Sequence, residues 1–129
     1  MEKFSELIFS DDFKRYIKED DRLEYVPKSL SKSALLSHLS KALNFPDYFG
    51  ENWDALYDSL SSMQISEPRV ALIHEALPDL DDKNLSIYLN ILNDIVKLKK
   101  ETIDKRTYPE LIVIFPYISL ERVRALASK

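Results

Sequence analysis

The chain has no cysteine and only one glycine among its 129 residues. Without cysteine there is no disulfide framework, no thiolate zinc site and no cysteine nucleophile. One glycine cannot build a Gly-rich phosphate loop, which sets aside the nucleotide folds that depend on one, and no serine stands in a G-x-S-x-G elbow. A run of about 18 apolar residues is also missing, so no transmembrane helix is expected. Met1-Glu2-Lys3-Phe4 leads into acids rather than into the apolar core of a signal peptide. The chain therefore reads as cytoplasmic. Its net charge of −4 lacks the basic excess that a nucleic-acid binder uses to displace counterions. Neither direct nucleic-acid binding nor a membrane is expected.

What is present suits one globular domain. Apolar residues make up 45% and charged residues 31% of the chain, the balance of a soluble core and surface. We expect one domain over residues 1–129, with a core at about 22–116 and extensions at 1–21 and 117–129. The charge is uneven: residues 44–58 hold acids and no base, whereas Lys97, Lys99, Lys100, Lys105 and Arg106 crowd one basic stretch.

Along the chain, Phe4, Leu7 and Ile8, then Phe13, Tyr16 and Ile17, keep helical spacing, and Ser10-Asp11-Asp12 can restart a helix. Phe4–Phe9 fits a short strand equally well. Arg22–Val26 alternates and stops at Pro27, as a short strand does. Ser31 or Ser33 can cap a helix whose stripe is Ala34, Leu35, Leu39, Ala42 and Leu43. Val70-Ala71-Leu72-Ile73 is an apolar run of the kind covered on both faces of a sheet. Leu77-Pro78-Asp79 is a turn, and Asp81 or Asp82 starts a long helix carrying Leu85, Tyr88, Leu89, Leu92, Ile95 and Val96. Lys97, Lys99 and Lys100 favour the end of that helix. Leu111–Phe115 is the clearest strand, and Ser119 to Leu126 can add a last short helix. Apolar strands joined by helical crossovers predict an α/β fold with a small three-stranded parallel sheet.

The most specified stretch is Asn44 to Leu60. It contains the lone glycine and the lone tryptophan. Gly50 is expected at positive φ, where a Cβ would clash, and Asn52 is a good N-cap. Asp54 sits where the helix dipole favours a negative charge. Trp53, Leu56, Leu60 and Met63 step along a buried stripe, while Asp54, Tyr57 and Asp58 step along another face, towards solvent. Pro46 stiffens the loop that presents Tyr48 and Phe49.

Other chemistry is weaker. His38 and His74 are the only histidines, and neither has an H-x-x-x-H companion, so both read as structural and no metal or cofactor is expected. Asp54 and Asp58 on adjacent exposed turns would both ionise, which argues against an acid–base pair. Their acidic face is either solvated and idle or made for a basic partner, and the neighbouring aromatics, a residue class enriched in interfaces, tilt the balance to binding.

Phe45-Pro46-Asp47-Tyr48-Phe49-Gly50-Glu51-Asn52-Trp53-Asp54-Ala55-Leu56-Tyr57-Asp58-Ser59-Leu60 closely resembles the signature of barstar and its relatives, small bacterial ribonuclease inhibitors. The resemblance implies a non-enzymatic protein that plugs the cationic active site of a ribonuclease, with carboxylates standing in for RNA phosphates. By motif position Asp58 is the central carboxylate and Asp54 its neighbour one turn earlier. Tyr48, Phe49 and Glu51 lie on the presenting loop, Tyr57 packs beside the acids, and Asp94 matches the acid that the long helix of relatives contributes. Pro46, Gly50, Asn52, Trp53, Leu56 and Leu60 then form the structural part of the motif. The implied partner is a basic ribonuclease or a ribonuclease-type toxin against which this chain gives immunity as an antitoxin, the free protein being a monomer. A different class remains open: an interaction or regulatory module that keeps the fold and binds another basic protein.

Overall fold

The computed structural model describes residues 3–46, 52–102 and 109–128. In chain order the elements are strand β1 (Ile8–Phe9), a 3₁₀ turn (Phe13–Tyr16), strand β2 (Arg22–Val26), helix α1 (Lys32–Ala42) and helix α2 (Trp53–Ser61). Strand β3 (Arg69–His74), helix α3 (Asp82–Lys100), strand β4 (Glu110–Phe115) and helix α4 (Ser119–Ala127) follow. The strands form one parallel sheet in the order β1-β4-β3-β2.

The sheet has four strands where the sequence predicts three. The extra one is β1, whose Ile8 and Phe9 lie in register with Ile114 and Phe115. Two residues are too few for periodicity to separate strand from helix; pairing with β4 decides it. The remaining strands lie where alternation and apolar runs put them, with Arg22 opposite Val70 and Val70 opposite Leu111.

Alternation along the central strands divides the interior between two faces of the sheet. Val70 and Leu72 of β3, with Leu111, Val113 and Phe115 of β4, join the main core, which also takes buried side chains from α1, α2, α3 and α4. Ala71, Ile73, Ile112 and Ile114 point the other way and are covered by Ile8, Phe13, Tyr16 and Ile17. The segment before β2 therefore forms the second covering layer. It is fastened by a forked ion pair: Arg69 Nη2 lies 2.6 Å from Asp21 Oδ2, and Nε 2.9 Å from Oδ1. The same Nη2 donates to the Tyr16 carbonyl at 2.8 Å.

The helix ends follow local rules. Ser31, Asn52 and Asp81 each accept a hydrogen bond from the backbone N–H three residues on, the usual satisfaction of an orphan donor at an N-cap. At the end of α1, Asn44 takes φ 53°. Phe45 N bonds back to Ser40 O and Asn44 N to Lys41 O, a Schellman closure with asparagine in the left-handed position. The α1 stripe differs by one residue from expectation. Leu35, Leu36 and Leu39 are buried and Ala34 is exposed, because three adjacent apolar positions, Ala34 to Leu36, leave the phase of so short a helix to tertiary packing.

Candidate partner-binding site

Helix α2 is held at both ends against α3. At its start, Trp53 Nε1 donates to Asn84 Oδ1 at 2.9 Å, and the Trp53 ring lies 5.9 Å from that of Tyr88. Lys32, the first residue of α1, places its ammonium 5.0 Å from the Trp53 ring centre, within cation–π range. At its end, Lys99 Nζ donates to the Ser61 carbonyl at 2.9 Å, where a cation meets the negative end of the helix dipole. Both contacts come from α3 in the same order, so the two helices run in the same direction. Leu56 and Leu60 are fully buried between these clamps.

With its inner side so occupied, α2 shows Asp54, Tyr57 and Asp58 to solvent. Among the described residues neither carboxylate has a hydrogen-bond or ion-pair partner. The end of the helix is tied through the backbone instead, since the hydroxyls of Ser61 and Ser62 both donate to the Asp58 carbonyl, at 2.9 and 2.8 Å. The backbone at Asp58 is thereby tied down, and its exposed carboxylate is left, among the described residues, without a protein partner.

The structure brings Asp54, Tyr57 and Asp58 onto one face, and Asn52, Trp53, Leu56 and Leu60 serve that helix as cap and buried stripe. Trp53 is only half-buried because its indole forms the edge of the clamp. Asp94 is exposed on α3, the helix that carries both clamps. Pro46 is exposed at the start of the loop. Asp47, Tyr48, Phe49, Gly50 and Glu51 lie outside the described residues, as do Lys105 and Arg106.

Sequence reasoning missed the clamps. Asn84 gave no signal, being one polar residue in the first turn of a long helix. Lys99 was assigned to the end of α3, yet it is 1% exposed and serves the end of α2. Burial pushes its ammonium pKa down from the usual lysine range. Its place in the buried stripe, four residues after Ile95, was the available signal.

Both histidines are structural. His38 Nε2 lies 3.1 Å from the Tyr25 carbonyl. His74 is buried between the Ile114 carbonyl, 3.2 Å from Nδ1, and the Tyr88 hydroxyl, 2.8 Å from Nε2. A carbonyl can only accept, so Nδ1 carries the proton and the Tyr88 O–H donates to Nε2. Burial pushes the His74 imidazole down to about 4 and the Tyr88 phenol well up. The unfolded chain takes up a proton near pH 6.5 that the folded chain refuses until about 4. The neutral ring thus contributes stability above pH 6.5 that is lost as pH falls through that interval. The loss is on the order of 3 kcal/mol. Urea unfolding at stepped pH should show this slope, and His74→Gln should flatten it; an unchanged slope would assign it to other groups.

Among the described residues, no helix is long and apolar enough to cross a membrane. The sequence profile described as Barstar (barnase inhibitor) matches residues 26–111. The chain belongs to the barstar family. The match runs from the last residue of β2 to the start of β4 and contains α1, α2 and α3 whole, so the acidic face lies inside it and β1 outside it. Comparison with curated proteins returns no match. The family is one of inhibitors, and membership points to ribonuclease inhibition and to a protein partner.

Proposed function

We propose that this barstar-family protein is a non-enzymatic inhibitor, of the antitoxin or immunity type, that blocks the cationic active site of a ribonuclease or ribonuclease-like toxin in the cytoplasm. The observation that carries this reading is the presentation, on a clamped helix, of two exposed carboxylates that have no partner among the described residues. Asp54 and Asp58 stand one turn apart on a helix clamped at both ends, so little order is left to impose on binding. Preorganisation of this kind lowers the entropic cost of association.

In this reading Asp58 enters the phosphate-binding pocket, and Asp54 and Tyr57 cover its rim. Tyr48, Phe49 and Glu51 extend the contact from the loop, and Asp94 adds a carboxylate from α3. The partner is basic because an enzyme that grips RNA phosphates needs cations in its cleft, and those cations attract the carboxylates as they attract RNA.

The test is titration of a barnase-type ribonuclease with this protein, following RNA cleavage, together with stopped-flow association at several salt concentrations. We expect stoichiometric loss of cleavage. The association rate should fall about tenfold or more between low salt and 0.5 M, because screening at 0.15 M already limits charge steering to about 8 Å. Tight binding of a basic protein without loss of its activity would favour a scaffold instead. A rate independent of salt would remove the acidic face from the encounter.

A further inference from the structure

The carboxyl ends of the parallel strands hold a cavity whose lining includes no residue of α2. Its origin is topological. Strand β1 leaves its end into the 3₁₀ turn, whose Phe13 packs on the outer face of the sheet. Its neighbour β4 leaves into α4, whose Val123 and Leu126 are buried in the core of the opposite face. Adjacent parallel strands whose exits diverge to opposite faces leave a crevice between them, the usual ligand position in open α/β sheets. Here β1 lies outside the part of the chain that matches the barstar profile, so the crevice is lined jointly by matched residues such as Ile73 and Glu75 and by unmatched ones such as Asp11 and Phe13.

The cavity measures about 660 Å³, within the range of small-molecule sites. Its walls are mostly apolar, from Ile73, Ile114, Pro27 and Pro116. Phe13 and Tyr25 meet edge to face there, with ring centres 5.9 Å apart and planes at 81°. The floor is closed by Ser10 N bonding to Phe115 O at 2.9 Å and by Glu75 N bonding to Val26 O at 2.9 Å.

The formal charge on the lining, which also includes His38 and His74, has one sign with the histidines neutral. Asp11 and Glu75 contribute carboxylates, and no lysine or arginine lines the cavity. Each carboxylate is positioned by one backbone donor. Asp11 Oδ1 accepts from Tyr117 N at 3.1 Å, and Glu75 Oε1 from Lys28 N at 2.7 Å. A carboxylate has about four acceptor sites, so both retain capacity for a ligand donor. An aromatic wall beside fixed carboxylates selects a cation with a flat apolar body, held by ring contact, cation–π attraction and charge-assisted hydrogen bonds.

We propose that this cavity, at the carboxyl ends of the four strands, binds a small aromatic cation. The apolar body lies against Phe13 and Tyr25, and the ammonium or amidinium group is held by Asp11 and Glu75. The site is separate from Asp54 and Asp58 on α2, and its occupation does not depend on the inhibitory role.

Tryptamine and indole-3-acetate make a matched test, since they share the indole and differ in the sign of the side-chain charge. Binding to the full-length protein is followed by amide shifts in ¹H–¹⁵N spectra at neutral pH. We expect saturable shifts from tryptamine around Ser10–Phe13, Tyr25 and His74–Glu75, with indole-3-acetate at least tenfold weaker. The double variant Asp11→Asn/Glu75→Gln keeps the oxygens that accept from Tyr117 and Lys28 and removes the charge. It should bring the two ligands within about threefold of each other. Tyr25→Ala, at a residue 57% exposed and therefore safe for folding, should weaken both. Equal binding of the two indoles by the native protein would overturn the proposal. So would the absence of saturable binding, or tryptamine shifts confined to α2.

Discussion

Replacing Asp58 by alanine is expected to weaken inhibition of the partner ribonuclease by at least about a hundredfold, while the protein stays folded. An enclosed cation that loses its counter-charge costs about 3–5 kcal/mol, and each 1.4 kcal/mol is about a factor of ten in affinity. Stability should hardly change, because the Asp58 side chain is exposed and what secures α2 lies elsewhere, in Leu56, Leu60, Trp53 and the Lys99 contact. The Asp58→Asn variant separates charge from shape and should do nearly as badly. A change at a desolvated contact acts mainly on dissociation, so the association rate should move little. Glu121→Ala, which removes an exposed acid on α4 outside the family match, should inhibit like the native protein. The measurement is inhibition of RNA cleavage, or survival of cells expressing the nuclease, with folding checked by circular dichroism. Inhibition by Asp58→Ala at native strength would mean that Asp58 is not the central carboxylate.

The parts of the fold legible in the sequence are those set by near neighbours. Asn52 before Trp53-Asp54, and Asp81 before a long apolar stripe, are caps readable within four residues, and both cap as expected. Val70–Ile73 and Leu111–Phe115 are readable because a strand covered on both faces leaves no polar position to confuse its pattern. The acidic face of α2 was legible in the same way, as the complement of its buried stripe. The supports of that face were not. Asn84 is 31 residues from Trp53 and Lys99 is 38 from Ser61 in sequence, and no local pattern encodes either contact. Residues before Arg22 were the least legible for a related reason. Ile8 suits helix and strand alike, while Phe13, Tyr16 and Ile17, spaced for a helix, give only a 3₁₀ turn with Ile17 extended, packed on the outer face of the sheet.

That outer layer makes the second large prediction. Asp21→Ala is expected to cost about 3 kcal/mol or more of stability, an effect usually reserved for core truncations. The Asp21 carboxylate is 2% exposed and the Arg69 side chain 15%, so removing one partner leaves the other charge shielded from water and unpaired. Burial alone would raise the Asp21 carboxyl, but the hydrogen bonds and charge of Arg69, with a hydrogen bond from Lys18 N at 2.7 Å, hold it below its usual 3.8. The pair's stability is thus present above 3.8 and lost as pH falls through the lowered value, beneath the interval in which His74 acts. Mechanically, Arg69 lies at the start of a central strand and grips both Asp21 and the Tyr16 carbonyl, so the pair fastens the segment that covers Ala71, Ile73, Ile112 and Ile114. Loss of the grip should expose that apolar face, raising the binding of a hydrophobic dye before the main unfolding transition. The double variant Asp21→Leu/Arg69→Met leaves no orphan charge and should recover most of the stability, since apolar replacement of a buried pair is often neutral. Urea midpoints of the native protein and the two variants decide the matter. A single variant as stable as the native protein would mean that apolar contact alone holds the layer. A double variant as weak as the single one would assign the loss to packing at Asp21 and to its hydrogen bond from Lys18 N, rather than to the stranded guanidinium.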